Sequence, residues 1–219
     1  MVKTENFSYT SDVLPAAADT KYQVSLRVEN LACARGLRVV FADLNFTLAG
    51  GDVLHVSGAN GAGKTSLLRM ICGLLAPAAG TISLSDGTPL ASQCHYLGHA
   101  DGLKNTLTPR ETIFYENRFS TSQEPSAAED LLVLAGLRKQ ADQRVSTLSA
   151  GQRRRLALTR LLAAPRRLWL LDEPYTALDA AGRDLVDTLI RRQADAGGLV
   201  VLAAHESVPL ANNHLVLDA

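Results

Sequence analysis

Long apolar runs are missing from this chain of 219 residues. Its longest uncharged stretch, 70–85, has 16 residues and is interrupted by Gly73, Pro77 and Gly80. A membrane-spanning helix needs roughly 20 apolar residues, so no span is expected. Residues 1–22 have neither the apolar core of a signal peptide nor any periodicity, and they read as a loose, disordered polar tail. Cysteine is scarce and odd in number: Cys33, Cys72 and Cys94 stand in no CxxC or metal-ligand spacing. That excludes a disulfide framework and reads as reduced, buried thiols. An excess of either charge is also lacking, with 22 Lys+Arg against 22 Asp+Glu and a net charge of zero. Neutralising a phosphate backbone usually leaves a basic excess, so nucleic acid is not the expected partner.

What is present is alternation. Strand-like runs at 23–29, 38–41, 45–48, 52–57, 81–84 and 93–97 surround a helical pattern at 64–75. After residue 150 the order is helix 151–163, strand 168–171, helix 180–195 and strand 199–203. Apolar strands alternating with helices point to a parallel sheet covered on both faces. Between about 100 and 147 the pattern is helical only. Thr108-Pro109-Arg110-Glu111 puts an N-cap, a first-turn proline and a capping-box glutamate in register, and Ser126 to Glu129 repeats the box. Among Leu103, Leu107, Ile113, Phe114 and Tyr115 a core position is expected for most.

Gly58-Ala59-Asn60-Gly61-Ala62-Gly63-Lys64-Thr65 fits G-x-x-x-x-G-K-[ST], after a strand and at the opening of a helix. Glycines let successive backbone N–H groups turn inward on phosphate oxygens, and the helix N-terminus adds its positive dipole end. Lys64 would bridge β- and γ-phosphates, and the Thr65 hydroxyl would ligate Mg2+, with Ser66 next in the loop. The run 168–173, Leu-Trp-Leu-Leu-Asp-Glu, delivers two carboxylates from a buried strand. Asp172 would hold the metal and Glu173 would activate water as general base. Leu148-Ser149-Ala150-Gly151-Gln152 precedes Arg153, Arg154 and Arg155. Ser149 can cap the next helix and leave an anion-binding end, or this can be an ordinary capped helix with a solvated basic face. His205, taken alone, reads as a hydrogen-bonded histidine at a strand end.

Together, residues 58–65, 148–152 and 168–173 resemble, in order, the phosphate loop, signature and second carboxylate motif of the ATP-binding cassette (ABC) ATPases. The resemblance covers residues 23–219. It implies an α/β P-loop NTPase fold with a mostly parallel core sheet, an N-terminal antiparallel β subdomain and an inserted helical subdomain at about 100–147. It implies an ATPase using ATP and Mg2+, with Gly58, Ala59, Asn60, Gly61, Ala62, Gly63, Lys64, Thr65 and Ser66 on the phosphates. Thr65 and Asp172 would serve the metal, while Glu173, His205 and Lys64 would be catalytic. It further implies a head-to-tail dimer, in which Ser149, Gly151 and Gln152 of one copy meet the nucleotide of the other. Ala177-Leu178-Asp179 resembles the dimer-contacting segment of that family.

The combination of Tyr96-Leu97-Gly98-His99, Gly102-Leu103-Lys104, Leu107-Thr108-Pro109-Arg110-Glu111 and the run 148–158 is similar to the haem-exporter ATPases of cytochrome c maturation, the CcmA family. That likeness implies a peripheral subunit at the cytoplasmic face of the bacterial inner membrane, working with CcmB/CcmC-like permeases. The alternatives are the ATPase of another small ABC exporter, or a soluble ABC ATPase outside transport. His99 stands where the family carries its lid glutamine, and an imidazole, unlike an amide, titrates near neutrality. No aromatic residue occupies 32–38, where many cassettes stack adenine; Arg35 could stack there by its guanidinium or be a solvated arginine.

Overall fold

The computed structural model describes residues 22–120 and 126–218. The expected tail lies outside them except for Tyr22, whose N–H donates to the Ala196 carbonyl (2.8 Å). The chain divides into two compact units: residues 101–165 with 175–188, and residues 22–100 with 166–174 and 189–218.

The larger unit is built on two sheets. Strands β1 (Leu26–Arg35), β2 (Arg38–Leu48) and β4 (Ala79–Leu84) form an antiparallel sheet in the order β2-β1-β4. Strands β3 (Val53–Gly58), β5 (Cys94–Leu97), β6 (Leu168–Asp172), β7 (Leu199–Ala203) and β8 (Asn213–Leu217) form a parallel sheet in the order β5-β6-β7-β3-β8. The two short strands expected at 38–41 and 45–48 are one strand, irregular near Asp43, whose φ is 53°. Asn45 manages the irregularity, accepting from the Asn30 N–H (2.8 Å) and donating to the Asp43 carbonyl (2.8 Å).

Every residue of β6 and β7 is buried, which explains why both read as continuous apolar runs rather than alternating ones. One set of alternate residues, including Leu54, Val56, Leu168, Leu170, Leu199 and Val201, joins a core with Leu67, Leu68 and Ile71 of helix α1 (Lys64–Ile71) and with β1. The other set, including Val53, Trp169, Leu171 and Leu202, is buried as well. α1 stops four residues short of its expected end. Gly73, with φ 78°, sits just past the helix in the left-handed conformation, and the Gly73 and Leu74 N–H groups close on Met70 and Arg69 carbonyls. The strand β8 and the short helix α2 (Leu90–Gln93) were not expected.

The smaller unit contains α3 (Pro109–Ser120), α4 (Ser126–Leu134), two 3-10 turns (Arg138–Gln140 and Val145–Thr147) and α5 (Ala150–Ala163). Helix α6 (Ala180–Asp195) starts in this unit and ends in the larger one. The first capping box is formed: Thr108 Oγ1 accepts the Glu111 N–H (3.1 Å), and Glu111 Oε2 accepts the Thr108 N–H (2.8 Å). Glu129, expected to close the second box, instead carries Arg110 (2.8 Å) and Arg138 (3.3 Å); the Ser126 side chain lies outside the described residues. Ile113 is fully buried and Leu103 and Leu107 are half-buried, but Phe114 and Tyr115 are exposed, against the expectation that most of this set is core. Among the described residues, no helix is long and apolar enough to cross a membrane.

Burial of Leu170 in the shared core predicts that Leu170→Ala destabilises the fold by about 2–5 kcal/mol in denaturant titration. The three thiols are unpaired, and burial pushes Cys94 up from 9.0 to about 11. At pH 8 the native Cys94 thiol should therefore alkylate on the order of 100-fold more slowly than in the unfolded chain, since only the thiolate reacts. The sign carries over to stability. The neutral buried thiol contributes fully below pH 9, and that contribution is lost as pH rises towards 11.

Candidate nucleotide site

The carboxyl ends of β3, β6 and β7 lie at one level because Ala203 pairs with Val56 on one side and Asp172 on the other. Residues 59–63 leave β3 there and wrap into α1. Gly58 has φ 139°, and a Cβ on it would collide with the Leu217 carbonyl. Gly63, the N-cap of α1, has φ 104°, and its missing Cβ would sit 2.8 Å from Val40 and 2.9 Å from Phe41 of β2. Both positions thus require glycine for space as well as for conformation.

The first residue of α1 whose N–H finds a backbone carbonyl is Leu67, which bonds Gly63 O (2.8 Å). The N–H groups of Lys64, Thr65 and Ser66 precede it and have no backbone acceptor among the described residues. These orphan donors, at the positive end of a helix dipole, form an anion cradle. Lys64 is 9% exposed, and its Nζ folds back to donate to the Gly58 (2.7 Å) and Ala59 (3.2 Å) carbonyls. An ammonium has three donors, so one remains for a ligand.

Across the loop, the Thr65 hydroxyl donates to Asp172 Oδ2 (2.9 Å). A hydroxyl and a carboxylate oxygen side by side are hard donors of the kind Mg2+ selects, with its other positions left for phosphate and water. The residues present therefore fit that ion. Glu173, next in the chain, has φ 51°, a left-handed conformation uncommon outside glycine and asparagine. Its N–H donates to Ala203 O (2.9 Å), which holds the turn. His205 Nε2 lies 3.4 Å from Glu173 Oε1.

A cavity of about 320 Å3 gathers Ala59, Asn60, Gly61, Gly63, Lys64, Thr65, Ser66, His99, Asp172, Glu173 and His205. Gly58 and Ala62 of the loop do not line it; Ala62 is fully buried. Arg35, left open between stacking and solvent, does line the cavity, and its Nη2 donates to Ser66 Oγ (2.8 Å). The signal for it was the hairpin: a single glycine-bearing turn at Gly36 returns the chain beside the loop.

Ser149, Gly151 and Gln152 belong to the smaller unit. Ser149 Oγ accepts the Gln152 N–H (3.2 Å), while Gln152 Oε1 accepts the Ser149 N–H (2.9 Å), a closed capping box. Each group accepts one bond, and among the described residues the serine hydroxyl proton and the Gln152 side-chain amide N–H groups have no acceptor. The backbone at Gly151 lies tight on the turn at Ala177, where an added Cβ would come within 3.0 Å of the Ala177 carbonyl. The basic run that follows is not a solvated face. Arg154 is 3% exposed and pairs with Asp101 (3.1 Å), while Arg153, Arg155 and Arg160 donate to the carbonyls of Leu148, Ala135 and Gly102.

The pattern of the ABC transporter family matches residues 41–176. The cytochrome c biogenesis ATP-binding export protein CcmA of Rhodopseudomonas palustris strain BisB5 is 45% identical over 192 residues, covering 86% of this chain and 96% of that one. The protein of the same description from Pseudomonas putida strain GB-1 is 42% identical over 193 residues, covering 84% and 90%. Among solved structures, the fold is similar to a putative ABC transporter ATP-binding protein of Pyrococcus furiosus, with TM-score 0.78, 21% identity and coverage of 88% and 97%. It is equally similar to a dimeric ATP-binding cassette bound to ADP and phosphate in a post-hydrolysis state, with TM-score 0.78, 21% identity and coverage of 88% and 94%.

Removing the ammonium from the cradle should be felt in binding and little in folding, because its bonds reach only two loop carbonyls. Lys64→Ala is expected to weaken nucleoside triphosphate binding about 10- to 100-fold, the worth of a charge-assisted hydrogen bond. Titration calorimetry measures the affinity, and a thermal melt close to that of the parent chain checks the fold.

Proposed function

The chain belongs to the ABC transporter family as an ATP-binding, ATP-hydrolysing subunit of the cytochrome c biogenesis export type, and we propose that its larger unit holds and cleaves ATP with the residues gathered around the phosphate loop. The observation that carries this reading is the conjunction at one cavity of Lys64, the Thr65–Asp172 hydrogen bond and the Glu173–His205 pair.

In this reading the orphan N–H groups and Lys64 orient the β- and γ-phosphates, and Arg35 and Asn60 close the cavity around the rest of the nucleotide. Thr65 and Asp172 would hold Mg2+, and that ion would supply positive charge to the phosphates. The Glu173 carboxylate accepts the proton of the attacking water, and His205 keeps that carboxylate aimed. His99 stands at the cavity edge as hydrogen-bond partner to water or phosphate. Ser149, Gly151 and Gln152 serve a second copy: their free hydroxyl proton and amide meet the triphosphate held on the partner's loop. Two chains packed head to tail thus complete two sites.

The likeness to cytochrome c biogenesis export proteins supports a cargo reading that the cavity does not, because a phosphate site carries no information about what a transporter moves. We assign the chain to haem export in cytochrome c maturation, docked on CcmB/CcmC-like permeases at the cytoplasmic face of the bacterial inner membrane. Glu173→Gln should bind ATP and dimerise while turnover falls about 100- to 10,000-fold, the usual range for losing a general base. Phosphate release and light scattering measure the two. In cells deleted for this chain, haem attachment to c-type cytochromes should be lost and be restored by the wild-type sequence but not by Glu173→Gln. Normal attachment in the deletion would exclude the haem assignment and leave the cargo of another exporter.

A further inference from the structure

One buried titratable side chain outside the residues assigned so far touches the scaffold of the site. His55, in the middle of β3, is 7% exposed and lies opposite Leu202 of β7 and His214 of β8. Its Nε2 is 3.0 Å from the Ala204 carbonyl oxygen. A carbonyl oxygen only accepts, so Nε2 carries the proton. The His214 ring stands edge-on to His55, with centroids 5.9 Å apart and planes at 76°.

The position of that carbonyl matters. Sheet pairing of β7 ends at Ala203, which is held by Val56, Asp172 and the Glu173 N–H. Ala204 is the next residue, 1% exposed and beyond the ladder, so its buried oxygen needs a partner from elsewhere. The same carbonyl belongs to the peptide unit whose nitrogen is that of His205. Peptide units are planar, so anchoring the oxygen fixes the plane from which the His205 side chain departs.

We propose that His55 is a positioning residue for the hydrolytic step: its hydrogen bond to Ala204 sets the approach of His205 to Glu173. This rests on the roles given to His205 and Glu173 above. It separates the machinery for turnover from that for binding, because Lys64 and Thr65 stand on α1 and do not depend on the Ala204–His205 peptide.

The test is ATP turnover by the full-length chain, in the membrane complex with which it purifies, for His55→Met, His55→Asn, His55→Gln, His205→Gln and the double variant His55→Met/His205→Gln. Methionine fills the space without a donor, asparagine is too short to reach, and glutamine places an amide N–H near the imidazole Nε2. The expected result is kcat about five- to ten-fold lower in the methionine and asparagine variants, the worth of one hydrogen bond, with KM for ATP unchanged. The glutamine variant should retain most of kcat, and the double variant should be no slower than His205→Gln alone. Equal loss in the glutamine and methionine variants, KM rising with the fall in kcat, or independent multiplication of losses in the double variant would each overturn the proposal. If His205→Gln alone turns over at the parent rate, the reading of His205 itself fails, and that single arm identifies it.

Discussion

Ala203 is the pin of this structure. It pairs with Val56 of β3 and with Asp172 of β6, and its carbonyl also takes the Glu173 N–H. Three separate stretches of chain are thereby brought to one level at the carboxyl end of the parallel sheet. Each delivers a different chemical group just beyond that level: the phosphate loop after Val56, the two carboxylates at the end of β6, and His205 two residues after Ala203. No long side chain has to reach far, so the Thr65–Asp172 bond closes at 2.9 Å. The side chain of Ala203 can be small because its work is done by backbone. Shifting β7 by one residue would turn the buried alternation over and separate all three groups together.

The parts legible in the sequence are those in which chemistry and backbone impose the same residues. Gly58 and Gly63 are needed by positive φ and by the Leu217 carbonyl and Val40 and Phe41 behind the loop. A spacing that serves phosphate therefore also serves packing. β6 and β7 were legible because strands buried on both faces have no polar alternation to blur them. β8 was not: its residues alternate between half-buried and exposed as far as Leu217, so Asn213 and His214 masked a strand. The end of α1 is not legible because Leu74 and Leu75 extend the apolar period past Gly73, and a period does not register that a glycine takes a left-handed turn. The sequence raises Arg35 as a candidate but not its bond to Ser66, and it does not raise His55 at all. Ser66 and Ala204, their partners, lie 31 and 149 residues away, a relation that neither periodicity nor spacing records.

The zero net charge also changes meaning. The arginine-rich stretch after the signature is spent inside its own unit, on Asp101 and on backbone carbonyls. In the larger unit Arg167 pairs with Asp86, and Arg166 donates to the Ser92 carbonyl (2.6 Å). Exposed pairs such as Arg110 with Asp142 add little, because water and salt screen them. Arg154 is of another kind. With its side chain 4% exposed, Arg154 has lost most of its hydration, and the Asp101 carboxylate offsets that cost rather than adding stability. Arginine suits these positions because its planar fork satisfies carbonyls and carboxylates that the point charge of a lysine would serve one at a time.

One of the left-handed non-glycine positions falls inside the candidate site. Glu173 occupies a left-handed conformation that costs on the order of 1–3 kcal/mol for a residue with a full side chain. Glycine would relieve it, but glycine carries no carboxylate. The peptide that precedes Glu173 is held twice over: Asp172 is paired in the sheet and tied to Thr65, and the Glu173 N–H is tied to Ala203. Those constraints turn the chain sharply at the carboxyl end of β6, so that two consecutive acids leave in different directions. Asp172 goes to the hydroxyl of α1, and Glu173 goes to His205. In an extended continuation of β6 the two side chains would alternate across the sheet and one would be lost to the cavity. A left-handed residue next to one in regular strand conformation is how a single strand end aims two carboxylates at different partners.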